Sequence, residues 1–190
     1  DVCSSDLTGY RDTAVYPAAF TYRHATELAL KQALLLAVRL AGLRFQAGEI
    51  DDADQAAADA LMNGVGRQHS LEALYQRLEG GLVFASAEPL SDDLRARVIE
   101  LHNIDPNGQV FRYPLKQDGT PWFGQPRAID LARLKELGRV VDALALGLCD
   151  WLDNAIQLSH EFLAELDANA DYGDWDEGSV DFEEDYADEV

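Results

Sequence analysis

The stretch YPAAFTYRHATELALKQALLLAVRLAGLRF, residues 16–45, decides the fold. Pro17 suits the first turn of a helix, where its missing N–H is no loss, and the helix is expected to run to about Ala47 and stop at Gly48. Wound at ~100° per residue, Phe20, Leu34, Leu35, Val38 and Phe45 fall on one face. Arg23, His24, Glu27 and Lys31 fall on that same face, where a plain amphipathic helix would put its charges opposite. The second half, LLLAVRLAGLRF, is apolar nearly all round, as for a central helix or a subunit interface.

Outward from this helix, each further segment carries its own start and stop signals. Asp51 and Asp52 can cap an Ala-rich helix over roughly 52–62, ended by Asn63-Gly64. Ser70 starts SLEALYQRL, with Leu71, Leu74, Tyr75 and Leu78 on one side, and Gly80-Gly81 is expected to close it. Ser91-Asp92-Asp93 caps a helix to about Asn103, with Leu94, Val98 and Leu101 inward. The stretch IDPNGQVFRYPLKQDGTPWFGQP then changes texture, with two turn signals, Pro-Asn-Gly and Asp-Gly. It reads as an ordered aromatic-rich loop or a small hairpin of QVFRYP against TPWFG, its prolines confining such strands to an edge.

Asp130 caps the last helix, whose period is the strongest in the chain. Leu134, Leu137, Val141, Leu144, Leu148, Trp151, Ala155, Leu158, Phe162 and Leu166 recur at three- and four-residue spacing. The expected fold is an all-α, up-and-down bundle of four to five helices with long first and last members. Residues 15–167 form that domain, flanked by a remnant at 1–14 and a disordered acidic tail at 168–190. Within the remnant, DVCSSDL resembles a translated sequencing adapter and is set apart from the fold.

A formal net charge of −20 over 190 residues disfavours DNA, bulk nucleic acid and anionic membrane as partners of the surface as a whole. Half of that charge lies in ten acids between Ala168 and Val190, a span without a base. Tyr172, Trp175, Phe182 and Tyr186 are interleaved there. Such a tail is either a solvated appendage, a segment that docks on a basic, apolar surface, or a mimic of nucleic acid. Cys3 and Cys149 make neither a disulfide framework nor a metal site, which fits a cytoplasmic setting. Lys31 and Arg39 interrupt the apolar runs well short of the ~20 residues that span a bilayer. No Gly-rich phosphate loop, Cys/His metal spacing or Gly-x-Ser-x-Gly elbow occurs, so no cofactor is expected and nucleotide-hydrolysing, zinc and acyl-transfer chemistry is disfavoured.

Two constellations remain. Arg23–Glu27 and Glu27–Lys31 are i,i+4 neighbours. They form either a surface ladder or a polar cleft, with Arg23 and Arg112 as bidentate donors to a ligand, Glu27 orienting them and His24 or His69 bonding it. His69, Arg112 and Tyr113 are the candidate walls of that cleft. Arg97 and His102 are the second constellation: an arginine can clamp a phosphate and a histidine can move a proton. On a helix they lie ~140° apart.

The order YRHATELALK, QHSLEALYQRL, IDPNGQVFRYP and a long closing helix resembles the HEPN superfamily over roughly residues 15–166. The resemblance implies a helical bundle that commonly dimerises. It also implies a setting among RNA-cleaving toxins, defence components and their non-catalytic relatives. The expected function is a non-catalytic module of a bacterial defence or toxin–antitoxin system, binding a ligand, RNA or a protein partner at the first helix. The first alternative is a metal-independent endoribonuclease using Arg97 and His102 across a dimer. That pair departs from the family pattern in the apolar Val98 and in lying before the FRYP loop. The second alternative is a structural dimerisation protein with its seam on the first helix.

Overall fold

The structure, a computed structural model, describes residues 5–110, 112, 118–120 and 130–173. Among these every regular element is helical. Helix α1 spans Ser5–Gln46, α2 Asp52–Ala60, α3 Leu71–Phe84, α4 Asp92–Ile104, α5 Leu131–Asp142 and α6 Asp150–Gly173. A 3-10 turn at Val65–Arg67 precedes α3, and seven residues of π-helix, Ala143–Cys149, join α5 to α6. No helix is long and apolar enough to cross a membrane among the described residues.

Side-chain caps start the helices where the sequence placed them. Asp51 accepts from the N–H of Asp54, Ser70 from Ala73, Ser91 from Leu94 and Asp130 from Ala132. Each satisfies one of the orphan donors at a helix start and contributes about 1 kcal/mol. Gly80-Gly81 does not close α3, which continues to Phe84. Gly81 lies inside the helix because α1 passes so close that an added Cβ would stand 3.2 Å from Leu34. Two boundaries also move outward: α1 begins at Ser5, inside the expected remnant, and α6 runs to Gly173, past the expected end at Asp167. The hairpin expected over QVFRYP and TPWFG, and the tail beyond Gly173, lie outside the described residues.

Close approaches fix the chain directions. From α1 to α3, Arg23 reaches the carbonyl of His69 and Arg44 reaches that of Phe84, so α1 and α3 run the same way. Helix α2 returns between them: Gln55 lies beside Gly42, and Lys31 reaches Gly66. Helix α4 descends again, with His102 beside Glu72 and Asp105 back at Arg23. The final segment rises, with Gly138 beside Tyr22 and Cys149 beside Ala29. The bundle therefore goes up, down, up, down and up.

Helix α1 is the axis. Leu30, Ala33, Leu34, Ala37, Leu40 and Ala41 are buried against the other helices. The half that is apolar all round thus packs largely inside its own bundle, and of its large apolar residues Leu35 and Phe45 stay exposed. Leu71, Leu74 and Leu78 of α3, Leu101 of α4 and Leu144 and Leu152 of the last segment complete the core. Each fully buried leucine contributes roughly 1.5–3 kcal/mol, more than any exposed ion pair on this surface.

The last helix corrects the sequence reading by one residue. Leu134, Leu137 and Leu144 face the core as the period predicts. A π-turn holds one residue more than an α-turn, and the next buried position is Cys149, five residues on. From there Leu152 and Ile156 point inward, while Trp151, Leu158, Phe162 and Leu166 are 44–66% exposed.

Candidate functional site

The polar residues of α1 gather at the end of the bundle where α3 starts and α4 ends. Glu27 is the centre, 4% exposed. Its Oε2 accepts from Arg23 Nη1 at 2.7 Å, and its Oε1 accepts from Lys31 Nζ at 2.8 Å and stands 3.0 Å from His69 Nδ1. Burial works to raise the Glu27 carboxyl, but hydrogen bonds from Lys31, His69 and Arg23 outweigh it and hold the group below the ordinary carboxylate range. An ionised Glu27 accepts at both oxygens, so the proton between it and His69 belongs to Nδ1. In the neutral tautomer, His69 Nε2 then carries the lone pair.

Arg23 is buried to 1% and its nitrogens are spent inside the chain. Nε donates to the carbonyl of Asp105 at 2.9 Å, Nη1 to Glu27 and Nη2 to the carbonyl of His69. It therefore clamps the α2–α3 and α4–α5 connections to α1, instead of offering the bidentate fork to a ligand that the sequence led us to expect. The reason is topological: both connections bring a backbone carbonyl over the same turn of α1.

The α4–α5 connection seats on this clamp through a turn. Asp105 is fully buried, and its Oδ1 accepts from the N–H groups of Gln109 and Val110. Gly108 has φ +69°, and a Cβ there would stand 3.2 Å from Arg23 Cζ, so only glycine lets the backbone cross the guanidinium this closely.

Between the turn and α1 lies a cavity of about 130 Å³ lined by Phe20, Arg23, His24, Glu27, His69, Asn107, Gly108, Gln109 and Arg112. His24 is exposed and stacks on Phe20, ring centroids 5.6 Å apart. The His69 side chain is 60% exposed. The structure thus brings Arg23, His24, Glu27, Lys31, His69 and Arg112 together, and Tyr113 lies outside the described residues. Sequence reasoning missed Asp105, Asn107 and Gln109. The signal was present in Asp-Pro-Asn-Gly, where an acid before a tight turn can cap the N–H groups that follow.

Arg97 and His102 are not brought together within the chain. Arg97 bonds Asp93 at 2.8 Å and reaches the Glu136 carbonyl of α5 at 3.3 Å, and Asp93 raises its guanidinium above the ordinary arginine value. His102 Nε2 faces Glu72 of α3 at 3.7 Å. The two side chains point to different neighbours, as their ~140° separation requires.

Elsewhere the molecule offers less chemistry. A groove of about 620 Å³ between α1 and the π segment is nearly all apolar, with Lys31 its one charged lining residue among the described residues. Cys149 lines it, its thiol pushed up to about 11 by burial and then by Asp153 and Asp150, so it is a poor nucleophile. Burial, with Glu79, pushes the Tyr75 hydroxyl up to about 12. Among the described residues no cluster of three or more His, Cys, Asp or Glu is placed to hold a metal ion. Comparison with family models, curated proteins and solved structures finds no match.

Proposed function

We propose that this chain is an HEPN-type helical module of a bacterial defence or toxin–antitoxin system that binds an anionic ligand, or an anionic group of a partner, at the cleft on α1. The observation that supports the reading is the cluster centred on Glu27. A buried carboxylate saturated by Arg23, Lys31 and His69 forms the floor of a cavity whose rim carries His24, His69 and Arg112. Arg23, Lys31 and Arg112 bring three cations to one end of a chain whose net charge is −20. Among the described residues no serine or cysteine hydroxyl or thiol lines the cavity, which favours binding over covalent catalysis. The motif order YRHATELALK, QHSLEALYQRL and IDPNGQVFRYP supports the family, and the all-helical bundle is compatible with it.

The test is a panel of anions, from inorganic phosphate and sulfate to carboxylates and nucleotides, titrated calorimetrically into the wild type and Arg112→Ala. The account expects at least one class to bind, a loss of about tenfold or more in Arg112→Ala, and a melting temperature within about 2 °C of wild type, because Arg112 is exposed. Absence of binding across the panel removes the reading.

The same reading includes a homodimer, and the face that supports it is on α6. Trp151, Leu158, Phe162 and Leu166 form a stripe on one side of that helix, next to the side that enters the core. An exposed apolar stripe of this length, beside a face already buried in the core, marks an association surface. Light scattering at micromolar concentration is expected to give twice the chain mass, and a Leu158→Asp, Phe162→Asp variant to give a monomer. A wild-type monomer contradicts the dimer.

A further inference from the structure

We infer that the cavity between α1 and the turn at 105–110 is a site for one oxyanion of phosphate or sulfate size, with His69 as the residue that carries the proton bound along with it. The inference rests on the binding reading above and narrows it to a ligand class and a residue. Size comes first. About 130 Å³ is room for roughly four waters at ~30 Å³ each, far below the ~300–1,000 Å³ of pockets that enclose whole small molecules. A tetrahedral head group fits, and a base or sugar has to remain outside.

The lining is built of donors suited to such a group. Asn107 and Gln109 supply side-chain amides, Arg112 a guanidinium, and His24 and His69 imidazoles. Ser70, next to His69, is the N-cap of α3, so the positive end of a 14-residue helix lies at the same wall. The negative charge on Glu27 is neutralised in place by three donors, which leaves it little repulsion for an incoming anion.

His69 sets the proton dependence. Its Nδ1 is fixed on Glu27, so the neutral ring carries its lone pair on Nε2 and the protonated ring carries an N–H there. An oxyanion is accepted by the second form and repelled by the first. The other charged groups gathered around this ring are Arg23, His24, Glu27 and Lys31 on α1 and Arg112, with Asp105 buried behind Arg23. Glu72, on the first turn of α3, is paired with His102 instead. Anion and proton are thus taken up together, and affinity falls as pH rises through the imidazole range.

Sulfate is the probe, because its charge is constant between about pH 5.5 and pH 8, the range over which an imidazole titrates. Titrated into the whole chain, sulfate is expected to weaken by an amount approaching tenfold per pH unit above the imidazole range. His69→Gln, which keeps a donor to Glu27, is expected to bind sulfate with a flat pH profile, and His160→Gln, on α6 outside the cavity, to keep the slope. A flat wild-type profile, or a His69→Gln variant with the wild-type slope, overturns the inference while the binding reading stands. Failure of both sulfate and phosphate to bind, with another anion of the panel binding, overturns it as well. Two further arms, inorganic phosphate and a nucleoside 5′-monophosphate, identify the source. Equal affinity supports the free ion, and tighter binding of the nucleotide supports a terminal phosphate on a larger molecule.

Discussion

At the scale of single residues, Glu27 holds the polar end of the bundle together. Its two oxygens collect three donors from two elements, and Arg23 beneath it has no route to solvent. Removing one member of such a buried pair costs ~3–5 kcal/mol, because the other charge stays behind unpaired. Glu27→Gln is therefore expected to lower stability to urea by about 3 kcal/mol. The pH dependence follows from the same bonds. The folded carboxyl titrates below its ordinary value of 4.5, so the unfolded chain binds more protons as pH falls. The stability it contributes is full above that value and is lost below it, through the folded-state pKa. Glu27→Gln should flatten this acid limb relative to wild type, and an unchanged limb would assign it to other carboxylates.

How far this cluster was legible is also a matter of particular residues. The i,i+4 spacing of Arg23, Glu27 and Lys31 put them on one face of an otherwise apolar helix, and that conflict pointed to the site. The partners of Arg23 were not legible, because two are backbone carbonyls, of Asp105 and His69, and a carbonyl leaves no mark on the sequence. Gly108 was readable as a turn residue, but its second reason, the guanidinium 3.2 Å away, needs the tertiary structure.

At the scale of elements, caps and periods decided most of the outcome. Asp51, Ser70, Ser91 and Asp130 each cap the helix expected of them, since an N-cap is a local bond that the sequence states directly. The last helix shows where local reading fails. Its apolar residues satisfy two registers, and the π segment Ala143–Cys149 selects the second after Leu144. Periodicity alone cannot distinguish them, because both faces of α6 are apolar. The register makes a sharp prediction. Leu152→Ala, at a fully buried site, should cost ~2–5 kcal/mol in equilibrium unfolding. Trp151→Ala, at a side chain 48% exposed, should cost the monomer less than about 1 kcal/mol. The uninterrupted α-helical period predicts the reverse order, so the two variants decide between them.

At the scale of the whole molecule, the fold and the charge distribution serve one another. A five-pass bundle around α1 brings the start of α3 and the end of α4 to the same turns of the first helix, around Arg23 and Glu27, and this juxtaposition builds the cleft. Fold class was legible because five helical segments with short connections leave few alternatives to a bundle. The long α4–α5 connection was legible only as turns, and its Asp-Gly signal is present as a bond that the N–H of Thr120 donates to Asp118 Oδ1. The account's central claim is that this cleft, rather than the apolar groove or the exposed arginines of α5, is where the molecule meets an anion. Backbone and histidine NMR resonances followed during a sulfate titration near pH 6, within the imidazole range, test it most directly. The account predicts that the amides of Gly108 and Gln109 and the rings of His24 and His69 shift together along one saturating curve. Shifts confined to the surface around Arg133 and Arg139, or none that saturate, would contradict it.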